Sequence, residues 1–139
     1  MTTRFVEAQN AGSPSAYDQA LAELRAGRKR SHWIWFVLPQ LAGLGQSAMA
    51  QRYGINGLAE ARAYLTDPVL RQRLEAVIAV INAQLRQPGQ SLDRLMGSGL
   101  DAAKTVSSLT LFEAAGLESA GALLDRIGRR CARTLERLG

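Results

Sequence analysis

The stretch DPVLRQRLEAVIAVINAQLR, residues 67–86, decides the fold. Leu70, Leu74, Val77, Ile78, Ile81 and Leu85 recur at intervals of three and four, which places them along one side of an α-helix and not on alternate faces of a strand. Asp67 offers an N-cap oxygen, and Pro68 occupies the first helical position, where a missing N–H is no loss. The spacing therefore predicts a helix over 69–86 whose single apolar stripe must be covered by other elements. Outward from it there is almost no period-two alternation from which a sheet could be made. Short helical patterns punctuated by glycine, serine and proline occur instead. The prediction is an all-α fold, a compact single-domain multihelical bundle of short amphipathic helices over 1–139.

Toward the N-terminus, Asn56 and Gly57 open a helix running through Leu65, and Ala48 to Tyr53 forms another that Gly54 ends. Arg4 to Gln9 reads as a first short helix, broken by Gly12, Ser13 and Pro14. Ser15 then caps a helix carrying Tyr17, Ala20, Leu21 and Leu24, which Gly27 closes. Between these lies SHWIWFVLPQ, residues 31–40, apolar on every side. Ser31 as N-cap and Pro39 as terminator favour helix there. Toward the C-terminus, Ser91 caps Leu92 to Met96, and Leu100 to Ala115 is helix-like. Thr105, Val106, Ser107, Ser108 and Thr110 are poor helix formers in its middle, so something beyond local propensity must hold it. Leu123, Leu124, Ile127, Cys131, Leu135 and Leu138 trace a stripe on an arginine-rich terminal helix over about 119–138, with Cys131 among core residues.

Composition bounds the class. With 139 residues, 47% of them apolar, the chain can build one core without cross-links. Its single cysteine rules out an intramolecular disulfide, a thiolate zinc site or an iron–sulfur cluster within one chain, and fits a reducing, cytoplasmic compartment. The apolar run Trp33 to Leu38 is far shorter than the roughly 20 residues of a membrane span. The net charge of +5 and pI near 10.1 raise the possibility of a polyanionic partner. The charge is clustered at Arg25, Arg28, Lys29 and Arg30 and again at Arg126, Arg129, Arg130, Arg133 and Arg137. No zinc-finger spacing or RNA-stacking aromatic signature accompanies it, which makes nucleic acid the less favoured partner.

The candidate chemistry falls into three groups. His32, the only histidine, reads either as a general acid or base beside tryptophan or as an interior histidine bonded to a carbonyl. Trp33 and Trp35 project about 200° apart on a helix, so one can pack in the core while the other lines a cleft. Gln40 ends this run as a polar group that could read a ligand's edge or cap a turn. The loop Gly43-Leu44-Gly45-Gln46-Ser47 before a helix has the ingredients of an anion cradle, with Ser47 as a plain N-cap the simpler reading. It has neither a third glycine nor a lysine–serine ending. Finally, Asp101, Lys104 and Ser108 share one helix face, with Ser107 and Lys104 on another. The set suits either a serine–lysine pair or an ion pair with packed serines. A lone histidine without adjacent acids suggests no metal site, and no cofactor is called for.

The strings RFVEAQ, YDQALAELRAGRKRSHWIWFVLPQ, LAGLGQSAMAQRYGI, LAEARAYL, DPVLRQRL and DAAKTVSSLTLF resemble, in order from Arg4 to about Phe112, the bacterial and fungal family catalogued as domain of unknown function 1810, sometimes labelled calpastatin-like. The resemblance implies a compact, mostly helical protein with links to ADP-ribose or NAD metabolism. It places characteristic positions on His32, Trp33, Trp35, Pro39, Gln40, Gly43, Gly45, Ser47, Asp101, Lys104, Ser107, Ser108, Thr110 and Phe112. Gln46 stands where the family often has histidine, which argues against a two-histidine mechanism. Beyond Phe112 the resemblance is expected to fade.

Together these readings predict a polar cleft binding a phosphate-bearing small molecule such as a nucleotide, NAD or ADP-ribose derivative. Trp33, Trp35, Gln40, Gly43, Gly45, Ser47, Lys104 and Ser108 would hold it, while His32 with Asp101 or Ser107 would carry any proton transfer. The competing classes are a non-catalytic protein-interaction module and a nucleic-acid binder using the basic clusters. The sequence carries no motif that fixes a reaction or an oligomeric state.

Overall fold

The computed structural model describes residues 2–139. Among them lie ten α-helices and no strand: α1 Thr3–Asn10, α2 Ala16–Arg25, α3 Ile34–Val37, α4 Ala48–Tyr53, α5 Leu58–Thr66, α6 Pro68–Leu85, α7 Leu92–Met96, α8 Gly99–Ala114, α9 Glu118–Ile127 and α10 Ala132–Leu138. No helix is long and apolar enough to cross a membrane. The helix read from residues 69–86 is α6. Asp67 Oδ1 accepts from the amides of Val69 and Leu70, and Leu70, Leu74, Val77, Ile78 and Ile81 are buried. Helix α6 packs against α1, α2, α5, α7 and α9, while α8 packs against α3, α5, α7, α9 and α10. The two longest helices thus share α5, α7 and α9 as neighbours. Phe5, Tyr64 and Phe112 form an aromatic chain through the core, with centroids 5.2 and 5.0 Å apart.

The hydroxyl-rich middle of α8 is explained by where those hydroxyls go. Thr105 Oγ1 donates to Asp101 O and Thr110 Oγ1 to Val106 O, each satisfied by its own helix one turn back. Ser107 Oγ lies 3.0 Å from Thr134 Oγ1, and Thr110 Oγ1 also accepts the Cys131 amide. Helix α8 is therefore held by burial and by tying down the C-terminal segment, in spite of weak propensity.

Two sequence expectations change. Residues 31–40 are not one helix, because only 34–37 are helical and Trp33, not Ser31, stands at the N-cap. Leu38 precedes Pro39, whose ring disfavours the helical conformation there, and its φ of −126° and ψ of 69° lie outside it. The chain then extends so that Leu41 bridges Ile55, with Ala42 N to Ile55 O at 2.7 Å. That bridge leaves no room for a side chain at Gly54, where a Cβ would sit 2.9 Å from Ala42 Cα. The terminal helix is likewise broken. Gly128 ends α9 in a left-handed conformation (φ 87°), and Cys131 caps α10 from a half-buried position. Leu135, placed on the core stripe by periodicity, is exposed.

Candidate functional site

The site grows from Glu23 on α2, a residue the sequence reading passed over. Its carboxylate is buried and accepts from Gln19 Nε2, the amides of Arg30 and Ser31, the Ser31 hydroxyl and the Trp33 indole N–H. Burial alone would raise this carboxyl; the Ser31 hydroxyl, the Arg30 and Ser31 amides and Gln19 outweigh it and bring it to about 2. The strap 28–33 is thereby fixed from beneath. Lys29 N also donates to Leu95 O at 2.7 Å, and Gly97, which ends α7 at φ 86°, passes so close that a Cβ there would lie 3.1 Å from Lys29 O.

With its backbone held in this way, the strap directs alternate side chains differently. Lys29 turns inward, where Nζ meets Asp101 Oδ2 at 2.9 Å and Ser31 O at 2.7 Å and stands 5.1 Å from the Trp33 ring. Arg28, Arg30 and His32 line an open groove of about 530 Å³ together with the buried Lys29 and with Met96, Gly97, Ser98 and Asp101. Among the described residues, no carboxylate lies within ion-pair distance of Arg28 or Arg30. Lys104 Nζ lies 3.8 Å from Asp101 Oδ1 and 5.3 Å from the centre of the Trp35 ring, and that ring lies 6.5 Å from His32. His32, Trp35, Asp101 and Lys104 are therefore neighbours, with His32 and Asp101 on the groove wall.

Other expected members lie elsewhere. Trp33 is buried in the core and spent on Glu23. Ser107 is buried against α10, bonded to Thr134, and does not face the groove. Ser108 is fully buried and its hydroxyl has no partner among the described residues. Gln40 and Gly45 join Trp35, Leu41 and Tyr53 around a separate crevice of about 10 Å³, room for no more than a water. Trp35, which lines this crevice, has a buried indole N–H without a partner among the described residues.

The glycine loop is capped and covered by the protein's own groups. Ser47 Oγ accepts from Ala50 N as the N-cap of α4. The Arg137 guanidinium lies against Gly43, so close that a Cβ there would fall 2.3 Å from Nη2, and Arg133 Nη2 reaches Leu44 O at 3.5 Å. Part of the C-terminal basic cluster is also consumed, since Arg130 binds Glu113 and Asp125. Glu23 was legible only as an acid at a helical position. A faint signal was its distance of seven to ten residues from a polar–aromatic strap with no other acid nearby.

Fold and groove define a wholly helical protein with a basic, rigidly backed surface groove. The chain belongs to the family described as protein of unknown function (DUF1810), whose model matches residues 2–138, past Phe112, where the resemblance was expected to fade. It is similar to the solved conserved hypothetical protein Rv1873 from Mycobacterium tuberculosis, at 42% identity over 99% of this chain and 95% of that one, with a TM-score of 0.87. No curated protein matches it.

Proposed function

We propose that the protein binds a small phosphate-bearing ligand, of the nucleotide, NAD or ADP-ribose kind, in the groove between the strap and the start of α8. The observation that supports this is the pairing pattern: Arg28 and Arg30 border the groove with no carboxylate within ion-pair distance among the described residues, while the acid inside it, Asp101, is held by Lys29 and Lys104. Guanidinium groups without intramolecular partners on a fixed backbone suit bidentate phosphate contacts. His32 stands at the same groove and can donate to a phosphate oxygen, with Trp35 behind it as a flat surface. Any proton transfer rests on His32 and Asp101; Ser107 is too far inside to take part. The reading carries with it a cytoplasmic setting, consistent with one cysteine.

Isothermal titration at low salt with orthophosphate, ADP, ADP-ribose and NAD tests it. Binding to the native protein, weakened about tenfold in Arg30→Ala or His32→Ala with unchanged circular dichroism, is the expected result. Equal affinities in native and variant proteins remove this site. Tight, steeply salt-dependent binding of a DNA duplex in place of the small ligands would move the function to nucleic acid.

A further inference from the structure

We infer that the ligand of this groove carries a chain of several phosphates in line, running from His32 across Arg28 to Arg94. The inference rests on the proposed phosphate reading and extends it to the class of ligand. Beside the first groove lies a second open basin of about 580 Å³, lined by Gly27, Arg28, Gln87, Gln90, Asp93 and Arg94, with Gly97 at its edge. The two depressions share Arg28 and Gly97, so they meet at a cation with a glycine beside it. Each volume alone falls in the range that holds a small ligand; joined, they suit an elongated one.

The charges follow the same line. Arg30, Arg28 and Arg94 succeed one another along the two basins, and no carboxylate lies within ion-pair distance of any of them among the described residues. Among the described residues the Arg94 guanidinium donates to Gly89 O alone, from Nη1 at 2.8 Å, which leaves its remaining N–H groups for a ligand. The floor is tied down at both ends: Gln90 Nε2 donates to Gly27 O at 3.0 Å, and Glu23 receives the amides of Arg30 and Ser31. The aromatic groups, His32 and Trp35, stand at one end only. The second basin has no ring to stack on a base, which favours a phosphate tail there over a run of nucleobases.

Titration calorimetry with orthophosphate, pyrophosphate and tripolyphosphate tests the inference on the full chain. Native protein should bind tripolyphosphate about tenfold or more tighter than orthophosphate. Arg94→Ala, and Arg94→Gln as a variant that keeps a donor toward Gly89, should remove most of that gain and leave orthophosphate within about twofold. Arg62→Ala, the loss of an equal charge at an exposed position of α5 outside both basins, should change neither probe by more than about twofold. If tripolyphosphate binds no tighter than orthophosphate, or Arg62→Ala and Arg94→Ala act alike, the in-line chain is overturned while the phosphate reading stands. If no phosphate species binds, the phosphate reading fails, and this inference fails with it.

Discussion

Glu23 and Glu60 are both buried carboxylates on helices, yet they are satisfied in opposite ways. Glu60, on α5, accepts the Asn56 amide and a two-pronged clasp from Arg4, at 2.9 and 3.1 Å, and Arg4 also binds Arg52 O and Gly54 O. Burial raises its carboxyl, but the Arg4 guanidinium and the Asn56 amide prevail and lower it. A cation is used up in the process. Glu23 is satisfied by neutral donors of the strap and by Gln19, so the cations next to it in sequence, Arg28 and Arg30, keep their charge for something else. A carboxylate clasped by arginine closes a structure, whereas one served by amides and hydroxyls can fix a loop and leave its basic side chains available.

Glu23→Ala should have the largest effect. It strands the Trp33 indole N–H and two strap amides, and we expect a loss of about 3–4 kcal/mol in urea unfolding together with loss of phosphate binding. Arg4→Ala leaves Glu60 without its cation and should cost about 2 kcal/mol, discounted for the part exposure of Arg4, while phosphate affinity stays unchanged. If both variants lose binding equally, the contrast between the two glutamates is false.

Acid sharpens the same contrast. The Glu23 carboxyl is lowered in the folded protein from 4.5 to about 2, so its contribution is present above the ordinary carboxylate range and is lost as the pH falls through about 4 toward 2. Unfolding followed across that window should show stability falling with pH, and the slope should be shallower in Glu23→Gln. Smaller still, Ser107→Ala removes one buried hydroxyl contact to Thr134 and should cost about 1 kcal/mol without altering ligand affinity. A loss of affinity in that variant would return Ser107 to the site. Ser47→Ala, removing the α4 cap, should likewise cost about 1 kcal/mol and leave affinity intact.

Much of the fold was legible because it rests on local signals. The α6 stripe, the caps at Ser15, Asp67 and Ser91 and the stops at Gly27 and Gly54 are read from a few adjacent residues. The stop before Pro39 was legible, but the late start at Ile34 and the break at Gly128 were missed because an apolar run and an apolar stripe each continue across them. The site was legible in part. His32, Trp35, Asp101 and Lys104 were named for their chemistry and do lie together. The surroundings of Gly43 and Ser107 were not legible because Arg137 and Thr134, their covering partners, arrive from the far end of the chain, and periodicity carries no information on such contacts. Glu23 was nearly invisible for the same reason: beyond its spacing from the strap, an acid on a short helix says little of what will fold over it.

The most direct measurement is amide chemical-shift mapping of the isotope-labelled protein titrated with orthophosphate and then ADP. Phosphate held in the groove should give saturable shifts centred on residues 28–32 and 97–101, with none at 43–47 beyond the scatter of distant sites. Shifts centred on the glycine loop, or no saturable shift at either place, would contradict it.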